Sequence, residues 1–280
     1  MIVLKHIKDL QKLLNKYKAK GLYIGFVPTM GALHKGHISL IHASKSHHPI
    51  TVSSIFVNPT QFNIASDFNK YPVTIEKDID MLEAEGCDVL FLPPAVEMYP
   101  PNDPVMVYDL GYIESLQEGK YRPGHFQGVS RIVDKLLAAV LPQTLYLGQK
   151  DYQQCMVIKK LIDLKKYPIH LKICETLREA DGLAMSSRNM RLNAIERKQA
   201  AYLIKTITRI KDEIKPGTTD DIKEEAVQYL TQIGFKVDYI EIADAVNLQP
   251  ITYWDGHEKA VVLVAAFLND IRLIDNLLLN

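Results

Sequence analysis

The fold is decided by one stretch of the sequence, residues 22–37, which reads LYIGFVPTMGALHKGH. Its first part, Leu22–Val27, is a short apolar run that predicts a buried strand. Pro28 ends that strand, and the next residues predict a tight link into a helix that begins near Leu33. The chain therefore passes directly from a strand into a helix, and two histidines lie where the helix starts.

The same alternation of strands and helices continues on both sides of this stretch. Apolar spacing in residues 2–14 predicts a first helix. Further strands are predicted at residues 50–57, 88–92, 144–147 and 169–174, and helices at residues 75–84, 128–140 and 151–164. Because the predicted strands are short apolar runs without polar alternation, they indicate a parallel sheet that is buried on both faces. The predicted fold class is α/β, a Rossmann-like parallel sheet with helices on both faces.

The pattern changes near Asn193, and the change predicts a second unit. A long helix is predicted at residues 194–214 and another at 219–233, followed by strands at 237–243 and 260–268. This order indicates a smaller C-terminal α+β domain rather than a continuation of the parallel sheet. We place the boundary between a Rossmann-like domain, residues 1–185, and the smaller domain, residues 186–280.

Composition narrows the class of protein. The chain has 280 residues, with 33 Lys and Arg against 33 Asp and Glu, and this balance argues against a large nucleic-acid-binding surface. The longest apolar run, at residues 260–268, is shorter than the ~20 residues that a membrane span needs. The three cysteines, Cys87, Cys155 and Cys174, show no paired or zinc-binding spacing. We therefore expect a cytoplasmic protein with neither a nucleic-acid nor a membrane partner.

The segment after the first predicted strand has two competing interpretations, and the first is a phosphate-binding P-loop. Gly31 and Gly36 have the spacing of the two P-loop glycines. The residues that should follow are Lys and Ser or Thr, but this chain has His37 and Ile38. Without that lysine and that magnesium-binding hydroxyl, transfer of a γ-phosphoryl group loses its usual groups. The P-loop interpretation therefore fails.

The second interpretation is a nucleotide site that acts on the α-phosphate. His34 and His37 are three residues apart, so on a helix they share one face. At a helix N-terminus, free backbone N–H groups attract phosphate, and Gly36 lets a nucleotide approach closely. Two imidazoles pointed at an α-phosphate stabilise charge as pyrophosphate leaves. The alternative is a pair of surface histidines on a core helix, but the position directly after a strand favours the nucleotide site.

Polar residues also follow two other predicted strands. Asn58 and Gln61 come after the strand at residues 50–57, and Lys150 and Gln154 come after the strand at residues 144–147. Ligands of parallel sheets bind beyond the carboxyl ends of the strands, so these side chains are expected at the same edge as the histidines. Amides suit hydroxyls and carboxylates, and the lysine suits a phosphate. The alternative interpretations are that Asn58 only forms a turn and that Lys150 is only a solvated surface charge. Neither alternative explains why these residues follow strands at the same edge of the sheet.

The motifs together resemble one known family. In order along the chain they are VPTMGALHKGH, SIFVNPTQF, YRPGHFQGV, LGQKDYQQ, READGLAMSSRN and RLIDN. They are similar to those of the pantothenate synthetase (pantoate–β-alanine ligase) family, within the HxGH nucleotidyltransferase superfamily. The resemblance implies ATP-dependent condensation of (R)-pantoate with β-alanine through a pantoyl-adenylate, with pantothenate, AMP and pyrophosphate as products. It also implies a homodimer. We expect the smaller domain to close over the site as a lid that shields the adenylate from water.

The resemblance further implies the residues that bind ATP. These are Met30, Gly31, Ala32, Leu33, His34, Lys35, Gly36, His37, Gly148, Gln149, Lys150, Asp151, Leu177, Met185, Ser186, Ser187 and Arg188. Catalytic roles fall to His34, His37, Lys150, Ser187 and Arg188. Mg²⁺ is expected to enter with ATP, held mainly by ATP oxygens, and no residue is assigned as a metal ligand. Asp78 falls in a stretch that the family uses near magnesium, yet we do not assign it as a ligand.

The expected contacts to the acid and amine substrates come from five residues. They are Asn58, Gln61, Arg122, His125 and Gln154. Gln61 and Gln154 are expected to orient pantoate, and Gln61 also lies near the β-alanine site. Arg122 and His125 are expected beside the pocket, at or near a dimer contact.

The segment Met185–Asn189 looks like the KMSKS loop of class I aminoacyl-tRNA synthetases. Two hydroxyls and a cation on such a loop follow the β- and γ-phosphates and stabilise departing pyrophosphate. A helix N-cap is the competing interpretation. We assign that cap to Asn193, which leaves Ser186, Ser187 and Arg188 free for phosphate.

Two alternatives to the ligase remain. A related adenylyltransferase would pass AMP to a phosphorylated cofactor precursor and would not need the two glutamines. A non-catalytic nucleotide-binding module would keep its role when His37 is replaced.

Overall fold

The apolar runs of the sequence form strands and its periodic segments form helices, in the computed structural model that describes residues 1–63 and 65–280. The strands are β1 (Ile2–Leu4), β2 (Ile24–Thr29), β3 (Ile50–Ile55), β4 (Val89–Phe91), β5 (Thr144–Gly148), β6 (His170–Cys174), β7 (Gly217–Thr218), β8 (Lys236–Asp244), β9 (Tyr253–Trp254), β10 (Ala260–Leu268) and β11 (Ile271–Leu278). The helices are α1 (Ile7–Ala19), α2 (Lys35–Lys45), α3 (Ala65–Asn69), α4 (Ile75–Ala84), α5 (Ala95–Met98), α6 (Gln117–Tyr121), α7 (His125–Val140), α8 (Tyr152–Lys165), α9 (Ala194–Ala200), α10 (Tyr202–Glu213) and α11 (Asp220–Gln232). Short 3₁₀ turns occur at Pro59–Gln61, Gly111–Glu114, Gln149–Asp151 and Ser187–Arg191.

The central sheet is parallel, as predicted. Its strand order is β1-β4-β3-β2-β5-β6, and each neighbouring pair runs in the same direction. From β2 the chain moves outward to β3 and β4, and then returns to place β5 on the other side of β2. The strand order therefore reverses between β2 and β5, and ligands of such sheets bind at this point.

Helices cover both faces of the sheet because successive strand residues point to opposite sides. Phe26 packs in a core with α1, α7 and α8, whereas its neighbour Val27 packs in a second core with α2 and α4. On β5, Leu145 packs in the first of these cores and its neighbour Tyr146 in the second. The Rossmann-like fold class predicted from the sequence is thus confirmed, including the burial of both faces.

The C-terminal residues form an antiparallel sheet of order β11-β10-β8 and a small pair, β7 with β9. A third core joins this sheet to α9, α10 and α11. Ala243, Val261 and Leu263 pack instead with the core of the parallel sheet. The antiparallel sheet therefore contacts the first core directly, and the predicted α+β character is confirmed.

Two sequence predictions of local structure are wrong, and one long strand was not predicted. Residues 2–4 belong to an edge strand, because Ile2–Leu4 pairs with Val89–Phe91 and tertiary pairing overrides helical spacing. The helix predicted at 194–214 is divided at Ala201, a buried turn residue between α9 and α10. The strand β11 was missed, since its charged residues interrupt the apolar pattern.

Among the described residues, no helix is long and apolar enough to cross a bilayer.

Candidate active site

A cleft of about 230 Å³ opens at the carboxyl ends of β2 and β5, where the strand order reverses. Most of the residues predicted for the site line it. They are Met30, His34, Gly36, His37, Asn58, Gln61, Gly148, Lys150, Asp151, Gln154, Leu177, Met185, Ser186 and Ser187. Segments far apart in sequence meet here because they all follow strands of one parallel sheet.

The remaining predicted residues lie beside this cleft. Gly31, Ala32, Leu33, Lys35 and Gln149 adjoin lining residues in the chain. Arg122 and His125 line a small neighbouring cavity of about 30 Å³. Arg122 and Arg188 also line a wider cleft between α3 and the C-terminal sheet.

His34 and His37 are held rigidly at the start of α2. His34 is the N-cap, and its Nδ1 accepts from the Gly36 N–H at 3.1 Å. The His37 Nδ1 accepts from the His34 N–H at 3.3 Å, and the two ring centroids are 4.0 Å apart. Because each Nδ1 is an acceptor, the ring proton is on Nε2, the atom that remains available to a ligand.

Both imidazoles are neutral at physiological pH. Burial, together with the nearby Lys150 cation, lowers the pKa of His34 to about 4. Burial and the neighbouring His34 lower the pKa of His37 to about 3. The pair therefore offers two N–H donors without a positive charge of its own.

The backbone amides of this turn differ from the sequence expectation. We expected free N–H groups at the start of α2, but those of His34 and Gly36 bind ring nitrogens, and that of His37 binds the His34 carbonyl at 2.8 Å. Glycine at position 36 is also favoured on steric grounds, because a Cβ there would lie 2.9 Å from the His34 ring. The histidine side chains, rather than the amides, are presented to a ligand.

Asp78 fixes the turn before the histidines, a role that the sequence did not reveal. Its carboxylate is fully buried and accepts from the N–H groups of Ala32 and Leu33 at 2.9 and 2.8 Å. The Thr74 hydroxyl donates to it at 3.0 Å. A buried carboxylate is tolerated when donors surround it, and these donors come from the turn itself. Ala32 and Leu33, predicted to bind ATP, thus have their amides committed to Asp78.

Gln61 extends into the cleft from the turn after β3. Its Nε2 lies 2.9 Å from the Met30 Sδ, and its Oε1 accepts from the Asn58 Nδ2 at 3.1 Å. Asn58 is buried, and its amide also binds the Gly128 carbonyl and the Tyr99 hydroxyl. Protein groups thus occupy the polar atoms of Asn58, which lines the cleft and holds the Gln61 side chain, whereas its predicted contact with substrate stays a prediction.

A close helix contact locks the same turn. A Cβ at Gly128 would lie 2.1 Å from the Thr60 carbonyl oxygen, so only glycine lets α7 approach this closely. His125 at the start of α7 lies with its Nδ1 2.7 Å from the Gln61 carbonyl oxygen, and the Arg122 Nη2 lies 3.5 Å from it. Burial and the Arg122 cation lower the pKa of His125 to about 4. Arg122 and His125 therefore hold the Gln61 backbone.

Lys150 and Gln154 face the cleft from the other side of the switch point. The Lys150 side chain is mostly buried, and the ion pair of its Nζ with the Asp151 carboxylate is long at 3.9 Å. In the described part of the chain, no group hydrogen-bonds the Gln154 side chain, which lines the cleft. A weakly paired cation and an unoccupied amide are suited to an anionic, hydroxyl-bearing ligand.

The Ser186–Arg188 loop is less free than the sequence suggested. Asn193 caps α9 as predicted, with Ile195 and Glu196 donating to its side chain. Ser186, however, caps the following 3₁₀ turn by accepting from the Arg188 N–H at 3.3 Å. Arg188 pairs with Asp67 at 3.1 Å. The expectation that Ser186 and Arg188 have no protein partner is therefore wrong.

Tyr71 is a cleft residue that the sequence analysis did not identify. Its hydroxyl lies 3.4 Å from the Ser187 Oγ, so it ties the loop to the segment after α3. An apolar wall was also missed, because the spacing of α7 was interpreted as core alone. The wall consists of Phe56, Val129, Ile132, Val133 and Leu136.

Comparison with known proteins identifies the family. The sequence profile described as pantoate-β-alanine ligase matches residues 2–278. The chain belongs to the pantoate–β-alanine ligase family. The match confirms the predicted ATP-dependent ligase and its activity, pantothenate synthesis.

Relatives and solved structures agree with this assignment over the length of the chain. A pantothenate synthetase of Cytophaga hutchinsonii is 44% identical over 282 residues, which covers 100% of this chain and 99% of the relative. The crystal structure of pantothenate synthetase from Thermus thermophilus is 36% identical, with a TM-score of 0.91 and coverage of 100% and 99%. A Francisella tularensis pantoate-β-alanine ligase, complexed with β-γ ATP and β-alanine, is also 36% identical, with a TM-score of 0.85 and coverage of 100% and 98%.

The first test of the ligase site concerns Asp78. In Asp78→Asn one acceptor oxygen becomes an NH₂ group that faces a backbone N–H, so we expect the free energy of unfolding to fall by about 1–3 kcal/mol. Ligase activity should fall as well, because the turn before His34 loses its anchor. Urea unfolding and steady-state rates measure both effects.

Asp80→Asn, on the exposed side of the same helix, is the control and should change the unfolding free energy by less than about 0.5 kcal/mol. Equal effects of the two changes would contradict the anchoring role.

The second test uses the pH dependence of ligase stability. An unfolded histidine titrates near pH 6.5, whereas folded His37 takes up its proton near pH 3. Between these values the unfolded state binds more protons, so this group lowers stability as pH falls through that window and has no effect above it. We expect His37→Asn to lose less stability than the wild type between about pH 7 and pH 4.

Urea midpoints across this pH range measure the difference. His170→Asn, which changes an exposed histidine, is the control and should follow the wild type. Parallel curves for the wild type and His37→Asn would refute the neutral buried imidazole.

Proposed function

We propose that this ligase works in two steps through a pantoyl-adenylate. First, a carboxylate oxygen of pantoate attacks the α-phosphorus of ATP, and the bond to pyrophosphate breaks. Then the amine of β-alanine attacks the acyl carbon, and the bond to AMP breaks as the amide forms. The observation that carries this proposal is the convergence of the neutral His34–His37 pair and Lys150 at the strand-order reversal, without a P-loop.

The donors of the cleft are suited to an α-phosphate in the transition state. Two Nε2–H groups from His34 and His37 stabilise developing oxygen charge, and their neutrality leaves Lys150 as the cation. The weak Asp151 pair, at 3.9 Å, leaves the Lys150 ammonium available to a phosphate. Placement of both reactants at this point supplies much of the acceleration.

The acid substrate matches the other half of the cleft. Pantoate carries a carboxylate, two hydroxyls and a pair of methyl groups. Gln61 and Gln154 present amides to the polar groups, and Val129 and Val133 lie in the apolar wall that would receive the methyls. We assign Arg122, His125 and Asn58 an indirect part, through the position of Gln61.

The Ser187–Arg188 loop would follow the outer phosphates. Phosphate competes with Asp67 for Arg188, so binding of ATP would exchange one ion pair for another. We propose that this loop closes over the adenylate as a lid and excludes water, while the antiparallel sheet of residues 186–280 stays packed against the parallel sheet.

Magnesium would enter with ATP. Within residues 1–63 and 65–280 there is no group of three or more potential ligands, and an ion that keeps waters and binds phosphate oxygens needs none. Asp151 is the carboxylate of the cleft closest to Lys150, and it would receive a water of the ion. When bound, the ion neutralises phosphate charge.

Two further properties are proposed from the surface and the thiols. Four exposed apolar residues lie along one segment, which would be covered in a homodimer: Val105, Met106, Val107 and Tyr112.

The cysteines, all within the described ranges, are free thiols, which suits a reduced cytoplasmic setting.

Product analysis tests the reaction. Purified protein is incubated with MgATP and pantoate, with and without β-alanine. We expect pyrophosphate in both cases, because adenylation precedes use of the amine. AMP and pantothenate should appear in equal amounts only when the amine is present. Formation of ADP would contradict the α-phosphate mechanism, and transfer of AMP to a phosphorylated precursor instead would favour the adenylyltransferase.

Gln61→Ala tests the assignment of the acid site. Loss of a hydrogen bond to a charged or polar substrate group is expected to raise the KM for pantoate about 10- to 100-fold. The dissociation constant for ATP should change by less than about 2-fold, since the nucleotide groups lie across the cleft. Gln232→Ala, on an exposed helix face, is the matched control and should alter neither value. Equal losses for pantoate and ATP would mean that Gln61 is misassigned.

A further inference from the structure

The strand β11 carries polar residues that the mechanism does not yet use. Its motif Arg272-Leu273-Ile274-Asp275-Asn276 places Asp275 and Asn276 in the interior, with exposures of 3% and 1%. Buried polar groups are costly unless they are bonded, so their partners indicate what they support. Those partners lie in the walls of the cleft.

Asn276 holds the backbone at Lys150. Its Nδ2 donates to the carbonyl oxygens of Gln149 and Lys150, both at 2.9 Å. The Gln149 Nε2 donates to the Asn276 Oδ1 at 3.2 Å. The amide therefore uses both of its donors and its acceptor on one 3₁₀ turn, Gln149–Asp151.

Asp275 holds the opposite wall. Arg178 binds it through two nitrogens, at 2.7 and 3.0 Å, and also donates to the Gly182 carbonyl at 3.0 Å. Arg178 lies next to Leu177, whose carbonyl accepts from the Met185 N–H at 3.0 Å. A single pair of β11 residues thus contacts both segments that face the nucleotide.

We propose that Asn276 is a positioning residue that places the Lys150 ammonium for adenylate formation. The proposal rests on the phosphate role of Lys150 given above. Within residues 1–63 and 65–280 the Lys150 side chain has only a long ion pair of its own, so its location depends on the backbone from which it extends. Release of the two carbonyls would let the turn shift, and a displacement of about 1 Å at a reacting group can cost on the order of 100-fold in rate.

The alternative is that Asn276 serves stability alone, and Asn280 provides a matched comparison. The Asn280 Nδ2 also donates to two carbonyls, those of His257 and Glu258, and its Oδ1 accepts from the Ala260 N–H. This second asparagine has the same pattern of bonds, but it is exposed and lies away from the cleft. Asn276→Ala and Asn280→Ala therefore remove similar hydrogen bonds, and only one of them supports Lys150.

The experiment measures pantoate-dependent exchange of pyrophosphate into ATP, together with urea unfolding. The wild type must show exchange, and its absence would reject the proposed function rather than this inference. We expect Asn276→Ala to lower the kcat of exchange about 10- to 100-fold while the KM for pantoate changes less than about 2-fold. Asn280→Ala should leave kcat within about 2-fold of the wild type.

A double-mutant cycle tests the link to Lys150. If Asn276 acts through that side chain, then adding Asn276→Ala to Lys150→Ala should lower the residual rate by less than about 3-fold. An equal, multiplicative loss in both backgrounds would overturn the proposal. So would a kcat loss that Asn280→Ala reproduces.

A second variant guards against a folding failure. Gln149→Leu removes the bond that orients the Asn276 amide, at a partly exposed position. We expect a smaller fall in kcat, in the same direction, with pantoate KM unchanged. If Asn276→Ala does not fold and Gln149→Leu keeps the wild-type kcat, the inference is wrong.

Discussion

The buried carboxylate of Asp78 sets the geometry on which the rest of the cleft depends. It accepts the N–H groups of Ala32 and Leu33, which lie between β2 and α2. A carboxylate without a cationic partner is stable in the interior only where several donors converge on it. The turn therefore has one arrangement that satisfies Asp78, and that arrangement determines where His34 begins the helix. The strand-to-helix link and the histidine pair are parts of one hydrogen-bonded unit.

The charge of the cleft is divided between neutral and cationic donors. Desolvation keeps both imidazoles neutral, and their Nδ1 atoms are used by backbone N–H groups. Neutral donors can lie near each other and near Lys150 without mutual repulsion, as three cations could not. Across the cleft from Lys150, contacts from Asn58, His125 and Gly128 hold the backbone and side chain of Gln61. Few side chains remain available to a ligand. Each of them is held in place by neighbouring side chains that are not available.

The two parts of the chain meet through buried polar contacts as well as apolar packing. Ala243 and Val261 of the antiparallel sheet pack in the core of the parallel sheet. Glu118 on α6 binds Arg272 on β11 at 2.8 Å through both oxygens. Burial opposes ionisation of Glu118, but the bonds to Arg272 outweigh it and lower the pKa of that carboxyl to about 2. These contacts fix the position of the C-terminal sheet relative to the elements that carry the cleft.

The sequence by itself determined the parallel sheet, the edge at which ligands bind, and the family. Apolar runs such as Leu22–Val27 are local signals, and the residues after each strand share one edge because parallel strands point the same way. It also predicted that Gln61, Lys150 and the two histidines lie at this edge, where they line the cleft, since their motifs are contiguous in the chain.

Only the tertiary structure decided which of these side chains remain open to a ligand. Asp78 and Ala32 are far apart in sequence, as are Asn276 and Lys150, and their hydrogen bonds form only when the chain is folded. The edge strand Ile2–Leu4 was misassigned for the same reason, because its pairing with β4 carries no local pattern. Local sequence reports what a residue can do, whereas long-range contacts determine whether its polar atoms are already occupied.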